Sequence, residues 1–328
     1  MTTSPATTSE RAGAAPGWLR HAPWLIFALF VGYGFAVGGY AATVISFALV
    51  YAVFVTGLNI FMGYANQVSF GHNCFAAVAG YASAVLTTAH GWGVAPAMAA
   101  GVFLAVAVAL AIGLPTLRLK GHYLAMATLA CGLISYEIAV EWKSVTQGYL
   151  GISGIPPLGV AGYEVTSDRA QLTLLAAIAL VATLISGRIR DSRMGRAFLA
   201  LGASENGAMA LGVDVTRLKL LSFVVSAAFS GLAGALFVHV VGYVSPEVFG
   251  LHMVILAFTM LYVGGVGSIA GPLVGALLVS LLPEAFRGFK DYQDLAYGAV
   301  LILLLIYAPL GVASLFARER TASREKAG

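Results

Sequence analysis

No Asp, Glu, Lys or Arg occurs between Arg20 and Arg118, a stretch of 97 residues from position 21 to 117. A water-soluble domain carries about 25% charged residues, so such a stretch should hold roughly 24 charges. Over the whole 328-residue chain 59% of residues are hydrophobic and 10% charged. A soluble globular enzyme is excluded on this ground, and burial of several apolar helices in lipid is the reading that remains.

Dividing the apolar runs at Gly, Pro and polar clusters predicts an all-α integral membrane protein of about ten transmembrane helices, with eight or nine also compatible. The expected spans are 23–38, 41–62, 68–89, 96–115, 121–141, 170–187, 220–243, 248–265, 270–286 and 295–315. The first span and the pair flanking Gly265–Gly271 are short, the mark of re-entrant or broken elements. Ten crossings return the C-terminus to the side of the N-terminus. With both termini cytoplasmic, fourteen of the eighteen Lys and Arg fall inside, and Lys143, Arg169, Arg287 and Lys290 fall outside. That asymmetry is what the positive-inside rule requires. The expected organisation is a disordered cytoplasmic tail (1–22), one transmembrane domain (23–316) and a basic cytoplasmic tail (317–328). The domain carries an extracytoplasmic loop at 142–169, rich in Gly and Pro, and a cytoplasmic loop at 188–219.

Little in the chain points to chemistry of its own. Cys74 and Cys131 lie in apolar stretches and make neither a disulfide framework nor a metal set. The net charge of +4 sits in loops and tails and is no nucleic-acid footprint. No catalytic or metal-binding constellation can be assembled, and no GxxxxGK[ST] loop occurs, so ATP chemistry would have to come from another chain. Glu137 and Glu141, at i, i+4 near the outer end of a span, read as solvated interfacial carboxylates. His239, Glu247 and His252 border an outside turn, where contact with an external protein and simple solvation are both open.

Asn66, Gln67, Ser69, His72 and Asn73 form the densest polar group within the charge-free run, flanked by Gly63 and Gly71. Unpaired amides in hydrocarbon are costly, so these side chains should face a water-filled path or a neighbouring helix. One reading is a translocation path for an uncharged or zwitterionic solute; the other is interhelical hydrogen bonding. A second glycine cluster, Gly264, Gly265, Gly267, Gly271 and Gly275, suits close helix packing or a hinge. Its GGVGSIAGP is loosely like GYANQVSFGH, a hint of an internal repeat. Ser226, Ser230, Gly231 and Gly234 form a further small-residue stripe that reads as packing.

In the cytoplasmic loop Ser204 is a candidate N-cap, Glu205 favours a helix N-terminus and Gly212 is a candidate stop. Glu205, Ala208, Met209 and Gly212 stand at i, i+3, i+4 and i+7, one helical face. Such a helix suits insertion into a partner's groove. A loop lying flat on lipid headgroups is the alternative.

The segment GRAFLALGASENGAMALGVDVTRLKLLSFVVSAAFSGLAGALF is similar to the cytoplasmic coupling region of M-type permease subunits of branched-chain amino acid ABC importers, the LIV family. GYANQVSFGHNCFAAVAGYASAVL (63–86), LRLKGHYLAMATLA (117–130), TQGYLGISGIPPL (146–158) and YVGGVGSIAGPLVGALLVSLLPE (262–284) resemble further stretches of that family. Together they run in the expected order from about residue 40 to 310. The resemblance implies a multi-pass permease of the bacterial inner membrane that pairs with a homologous second permease. Two cytoplasmic ATPase subunits would carry ATP and Mg, leaving no cofactor on this chain, and an extracytoplasmic solute-binding protein would deliver cargo. Glu205, Asn206, Ala208, Met209 and Gly212 then fall in the ATPase-coupling helix. Gly202, Ala203 and Gly207 depart from the family's more charged pattern there, which makes the docking face more apolar. Branched-chain amino acids lead as substrate, with urea, short amides and small carboxylic acids as related possibilities. A self-sufficient secondary transporter or channel is a further alternative. The absence of any carboxylate or lysine in the first four spans weighs against proton coupling there.

Overall fold

A computed structural model describes residues 22–160, 163–210 and 212–285, together with 298, 299 and 302. The expected 295–315 span (298, 299 and 302 apart), the tails (Ala22 apart), Arg287 and Lys290 lie outside the described residues.

The elements run α1 (Ala22–Val37), α2 (Gly39–Asn59) with a π-helical turn (Ile60–Tyr64), α3 (His72–Thr88), α4 (Val94–Thr116) and α5 (His122–Glu141). Then come a one-turn α6 (Lys143–Thr146), α7 (Asp168–Asp191), α8 (Arg193–Ala203), α9 (Glu205–Ala210), α10 (Val215–Val241), α11 (Leu251–Gly264) and α12 (Gly271–Ala285). Among the described residues six helical stretches are long and apolar enough to cross a membrane. They are Gly39–Tyr64, Val94–Thr116, His122–Glu141, Asp168–Asp191, Val215–Val241 and Pro246–Gly264, with shorter apolar helices at Pro23–Val37 and Gly271–Glu284. The molecule is thus an all-α membrane protein, apart from four two-residue strands among the described residues. A helix stands at each expected span from 23–38 to 270–286. The third is shorter than expected, because its first four residues, 68–71, are not helical.

The helices differ in how much of them the protein itself covers. The apolar window of α2 with its π turn is 83% buried, whereas that of α4 is 28% buried. Around α2 pack α1, α7, α10 and α12. Small residues set the spacing: a Cβ on Gly234 of α10 would run into the Ala76 carbonyl of α3, and one on Gly57 of α2 would lie 2.7 Å from the Ser226 carbonyl oxygen of α10. Close backbone approach of this kind is how helices associate where lipid removes the hydrophobic drive. Hydroxyls inside the helices donate to the carbonyl one turn back, as Thr56 does to Ala52 (2.7 Å) and Thr183 to Ala179 (2.8 Å). No polar group is thereby left bare in hydrocarbon at those points.

Contacts between helices give their directions. His72 meets Ser226 and Ser83 meets His239, so α3 and α10 run parallel. Phe47 stacks near Phe237 while Gly57 meets Ser226, so α2 is antiparallel to α10. At one end β1 (Ile152–Ser153) pairs antiparallel with β4 (Tyr243–Val244), joining the 142–169 loop to the turn after α10. A second pair, β2 (Gly159–Val160) with β3 (Tyr163–Glu164), closes that loop. His239 is buried under it: Ser83 Oγ–H donates to Nε2 (2.7 Å) and Nδ1–H donates to the Pro156 carbonyl (2.8 Å). His239 is therefore a strut between α10 and the loop, while Glu247 and His252 stay exposed. Glu137 and Glu141 are exposed at the same end of α5.

Candidate functional site

Two breaks in the helical framework lie against each other at the opposite end. The first follows the π turn. After Tyr64 the chain runs non-helically from Ala65 to Gly71 before α3 begins at His72. A π turn inserts an extra residue per turn and is a frequent mark of functional distortion. Two N–H groups freed by the break find separate partners: Gln67 N–H donates to the Phe61 carbonyl (3.1 Å) and Phe70 N–H to Thr128 Oγ1 of α5 (3.1 Å). Gly71 packs so tightly on the Thr128 carbonyl that a side chain has no room.

The second break separates α11 from α12 at residues 265–270. Gly265 and Gly267 have φ of 110° and 77°, which L side chains rarely adopt. Gly264 lies against Gly271, and Gly275 against the Met260 carbonyl, so the two short helices touch through backbone. Asn59, in the last turn of α2, joins the breaks. Its Nδ2 donates to the Ser268 carbonyl (2.9 Å) and its Oδ1 accepts from Gly267 N–H (2.7 Å). A Cβ on Gly63 would also lie 2.6 Å from the Gly267 nitrogen. The two loosely similar sequence motifs are thus physical neighbours.

The predicted polar group is divided among four partners and does not surround one cavity. Asn66, with a left-handed φ of 52°, donates from Nδ2 to the Gly202 carbonyl at the end of α8 (3.1 Å). Gln67 Nε2 donates to Glu205 Oε1 of α9 (3.1 Å). Ser69 and His72 bond inward to α10 through a chain whose proton positions follow from its ends. Ser226 Oγ–H donates to the Gly57 carbonyl (2.6 Å), which can only accept. His72 Nε2–H must therefore be the donor to Ser226 Oγ (2.6 Å), and Nδ1 accepts from Ser69 Oγ–H (2.9 Å). Asn73 Nδ2 donates to the Phe249 carbonyl (2.8 Å), while its Oδ1, without a hydrogen-bond partner, faces Gly132 of α5. The gap bounded by Ser69, His72, Asn73, Phe54, Leu58 and Phe258 does not admit a water molecule. A wider apolar cleft of about 470 Å³ opens between Leu129 of α5 and Leu251, Ile255, Phe258 and Tyr262 of α11, with Phe70 of the first break at its wall.

The 188–219 loop sits on this region with two short helices, α8 and α9. Ser192 caps α8 through Gly195 N–H (3.1 Å), and Ser204 caps α9 through Gly207 N–H (3.1 Å). Gly212, at φ 78°, ends the segment, its N–H donating to the Met209 carbonyl (2.9 Å). Phe198 and Leu201 are buried against Ile60, Tyr64 and Ala65. Gly202 explains its own lack of a side chain, since a Cβ would lie 2.8 Å from the Tyr64 carbonyl oxygen. Tyr64 is held by Ser186 Oγ (3.0 Å) and by the Arg190 guanidinium 5.9 Å from its ring centre.

The four residues expected on one face of α9 do not all point one way. Glu205 is directed inward and Ala208 is 3% exposed, whereas Met209 is 47% exposed and Asn206 and Ala210 are also open. Positions i+3 and i+4 differ by 100°, and the edge of the seat passes between Ala208 and Met209. Glu205 Oε1 accepts from Lys219 Nζ of α10 (2.6 Å) as well as from Gln67. Burial alone would raise the Glu205 carboxyl, but the hydrogen bonds from Lys219 and Gln67 and the charges of Lys219 and Lys120 outweigh it. The group is held below the usual carboxylate value. Asn59 and Lys219 were not singled out by sequence reasoning as site residues. A lone amide in an apolar span and a lysine at a span's start were the signals available.

A family model described as the permease component of branched-chain amino acid transport systems matches residues 40–308. The chain is 30% identical over 310 residues to the high-affinity branched-chain amino acid transport system permease protein LivM of Escherichia coli strain K12, covering 88% of this chain and 73% of that protein. To the LivM protein of Salmonella typhimurium it is 29% identical over the same length and coverage. To the permease protein LivH of Escherichia coli K12 it is 27% identical over 287 residues, covering 80% of this chain and 90% of that protein.

Proposed function

We infer function from one premise: the chain belongs to the family of branched-chain amino acid transport system permease components. It is a multi-pass membrane subunit of an ABC importer that translocates branched-chain amino acids. Two permease proteins similar to this chain, LivM and LivH, carry the name of one such system in one organism, which supports pairing with a homologous second permease. On this reading two cytoplasmic ATPase subunits bind ATP and Mg beneath the permease pair, and an extracytoplasmic solute-binding protein supplies cargo. The membrane is the bacterial inner membrane, crossed about ten times, with both termini cytoplasmic. The directions of α2, α3 and α10 agree with that order of crossings.

The observation that carries the reading is α9: a capped helix of six residues, seated on the first break, with Asn206, Met209 and Ala210 turned outward at the basic end of the bundle. A short helix with an adaptable methionine is suited to a groove in an ATPase. The sharpest test is Met209→Glu, because its exposed side chain can change without disturbing the seat. The variant is expected to insert normally, to lose the co-purifying ATPase subunits and to lose leucine uptake in vesicles. A variant that retains active ATPase and full uptake would refute the assignment of this face. The polar residues Ser69, His72 and Asn73 border the route proposed for the solute, and α11 with α12 forms the hinge opposite them. Apolar replacements there, assayed with saturating binding protein, are expected to lower uptake.

A further inference from the structure

We propose that Glu205 is a positioning residue that faces into the permease and, through Lys219 and Gln67, ties the ATPase-facing helix α9 to the break between α2 and α3. The proposal rests on the reading of α9 given above and assigns its inward face a role distinct from docking.

Three separate elements converge on one carboxylate oxygen. Glu205 Oε1 accepts from Lys219 Nζ at 2.6 Å, in the first turns of α10, and from Gln67 Nε2 at 3.1 Å, in the non-helical segment before α3. The setting distinguishes this pair from an ordinary surface contact. Arg217 and Asp214, in the same loop, also pair at 2.8 Å, but their side chains are 88% and 51% exposed. Such a pair is solvated and holds little in place. The Lys219 side chain is 3% exposed, so its charge depends on the protein for compensation, and Glu205 is the carboxylate that meets it. Because Oε1 is committed inward, the outward face of α9 is left to Asn206, Met209 and Ala210.

The tie also has the right neighbours to transmit displacement. Asn66, one residue before Gln67, is bonded to the Gly202 carbonyl of α8, and Gly202 itself packs on Tyr64. A push on α9 therefore reaches the first break through Gln67 and the base of α10 through Lys219. Four residues beyond Gln67 lies Gly71, where the chain enters α3 beneath the Thr128 carbonyl. Asn59 carries the same contact onward to Gly267 and Ser268 in the second break. Coupling of this kind requires a contiguous set of packed and bonded groups acting on an element with two arrangements. On this proposal that part falls to the broken helices.

The test uses the assembled transporter in proteoliposomes, with substrate-loaded binding protein, and reads leucine uptake, ATP hydrolysis and subunit co-purification together. Glu205→Lys and Lys219→Glu place like charges at the tie, and the double exchange restores opposite charges. Each single variant is expected to keep its ATPase subunits while the ratio of uptake to ATP hydrolysis falls about tenfold, in the range of ordinary coupling energies. The exchanged pair is expected to recover most of that ratio. Singles that transport as the parent does, singles that shed the ATPase subunits, or an exchange no better than the singles would each overturn the proposal. Should a single fail to insert, Glu205→Gln with Lys219→Met gives a charge-free pair: a lowered uptake-to-hydrolysis ratio in it supports the tie, and a parental ratio overturns it. If the unaltered chain itself retains no ATPase, the reading of α9 fails instead, and the two failures are separated.

Discussion

Asn59 and Gly267 hold two interruptions of the helical framework together: the Asn59 side chain accepts the Gly267 N–H at 2.7 Å and donates to the neighbouring Ser268 carbonyl at 2.9 Å. One amide thereby satisfies both a donor and an acceptor released by the break between α11 and α12. Replacement by Leu, of similar volume, leaves both groups unpaired. A buried orphan group costs about 1–3 kcal/mol. Asn59→Leu is expected to lower the thermal midpoint of the purified protein clearly. Equal midpoints for Leu and Asn would show that the bridge contributes nothing.

The hydrogen-bond chain Ser69–His72–Ser226–Gly57 places a proton on His72 Nε2, because the Gly57 carbonyl at its end can only accept. Nitrogen-15 NMR of His-labelled protein is expected to report that tautomer. Ser226→Ala removes the acceptor for Nε2–H and should destabilise by about 1–3 kcal/mol. A spectrum showing the proton on Nδ1 would contradict the chain.

Gly234 and Gly32 separate packing from composition. A Cβ at Gly234 meets the Ala76 carbonyl, whereas one at Gly32 in α1 has nothing within 4 Å. Gly234→Val is expected to abolish accumulation of folded protein. Gly32→Ala is expected to be neutral or to stabilise by about 0.5–1 kcal/mol, since alanine loses less backbone entropy in a helix. Fluorescence-detected size exclusion and thermal melts of both variants decide the matter.

The Glu205–Lys219 tie has a defined pH dependence. The folded carboxyl is held below its usual value, so its contribution is complete above the unfolded pKa and is lost as pH falls through the folded one. The difference in thermal midpoint between the parent and Glu205→Gln should therefore be constant from neutral pH down to about 5 and shrink only below about 4, where free glutamates have already titrated. A difference that vanishes between pH 7 and 6 would mean that Glu205 is not the charged partner of Lys219.

Much of the architecture was legible before any tertiary contact. Spans lacking charge must be helices in lipid, because hydrocarbon offers no partner to an exposed backbone. Glycines at 264, 265, 267, 271 and 275 announced close approach, and Ser204 and Gly212 announced the ends of α9. The partners of the polar side chains were not legible. Gln67 and Asn66 read as members of one polar lining with His72, yet they turn to α9 and α8, 138 and 136 positions away. Within a non-helical segment no fixed period dictates where a side chain points.

Local composition, spacing and caps were enough to give the medium, the class of fold and the position of the short helix α9. Which charges meet, which of Ala208 and Met209 is buried, and that Asn59 bridges the two breaks were decided by tertiary structure alone. The physical reason is that a buried amide or ammonium takes whichever partner the packing brings within about 3 Å. In the charge-free run those partners come from helices far along the chain.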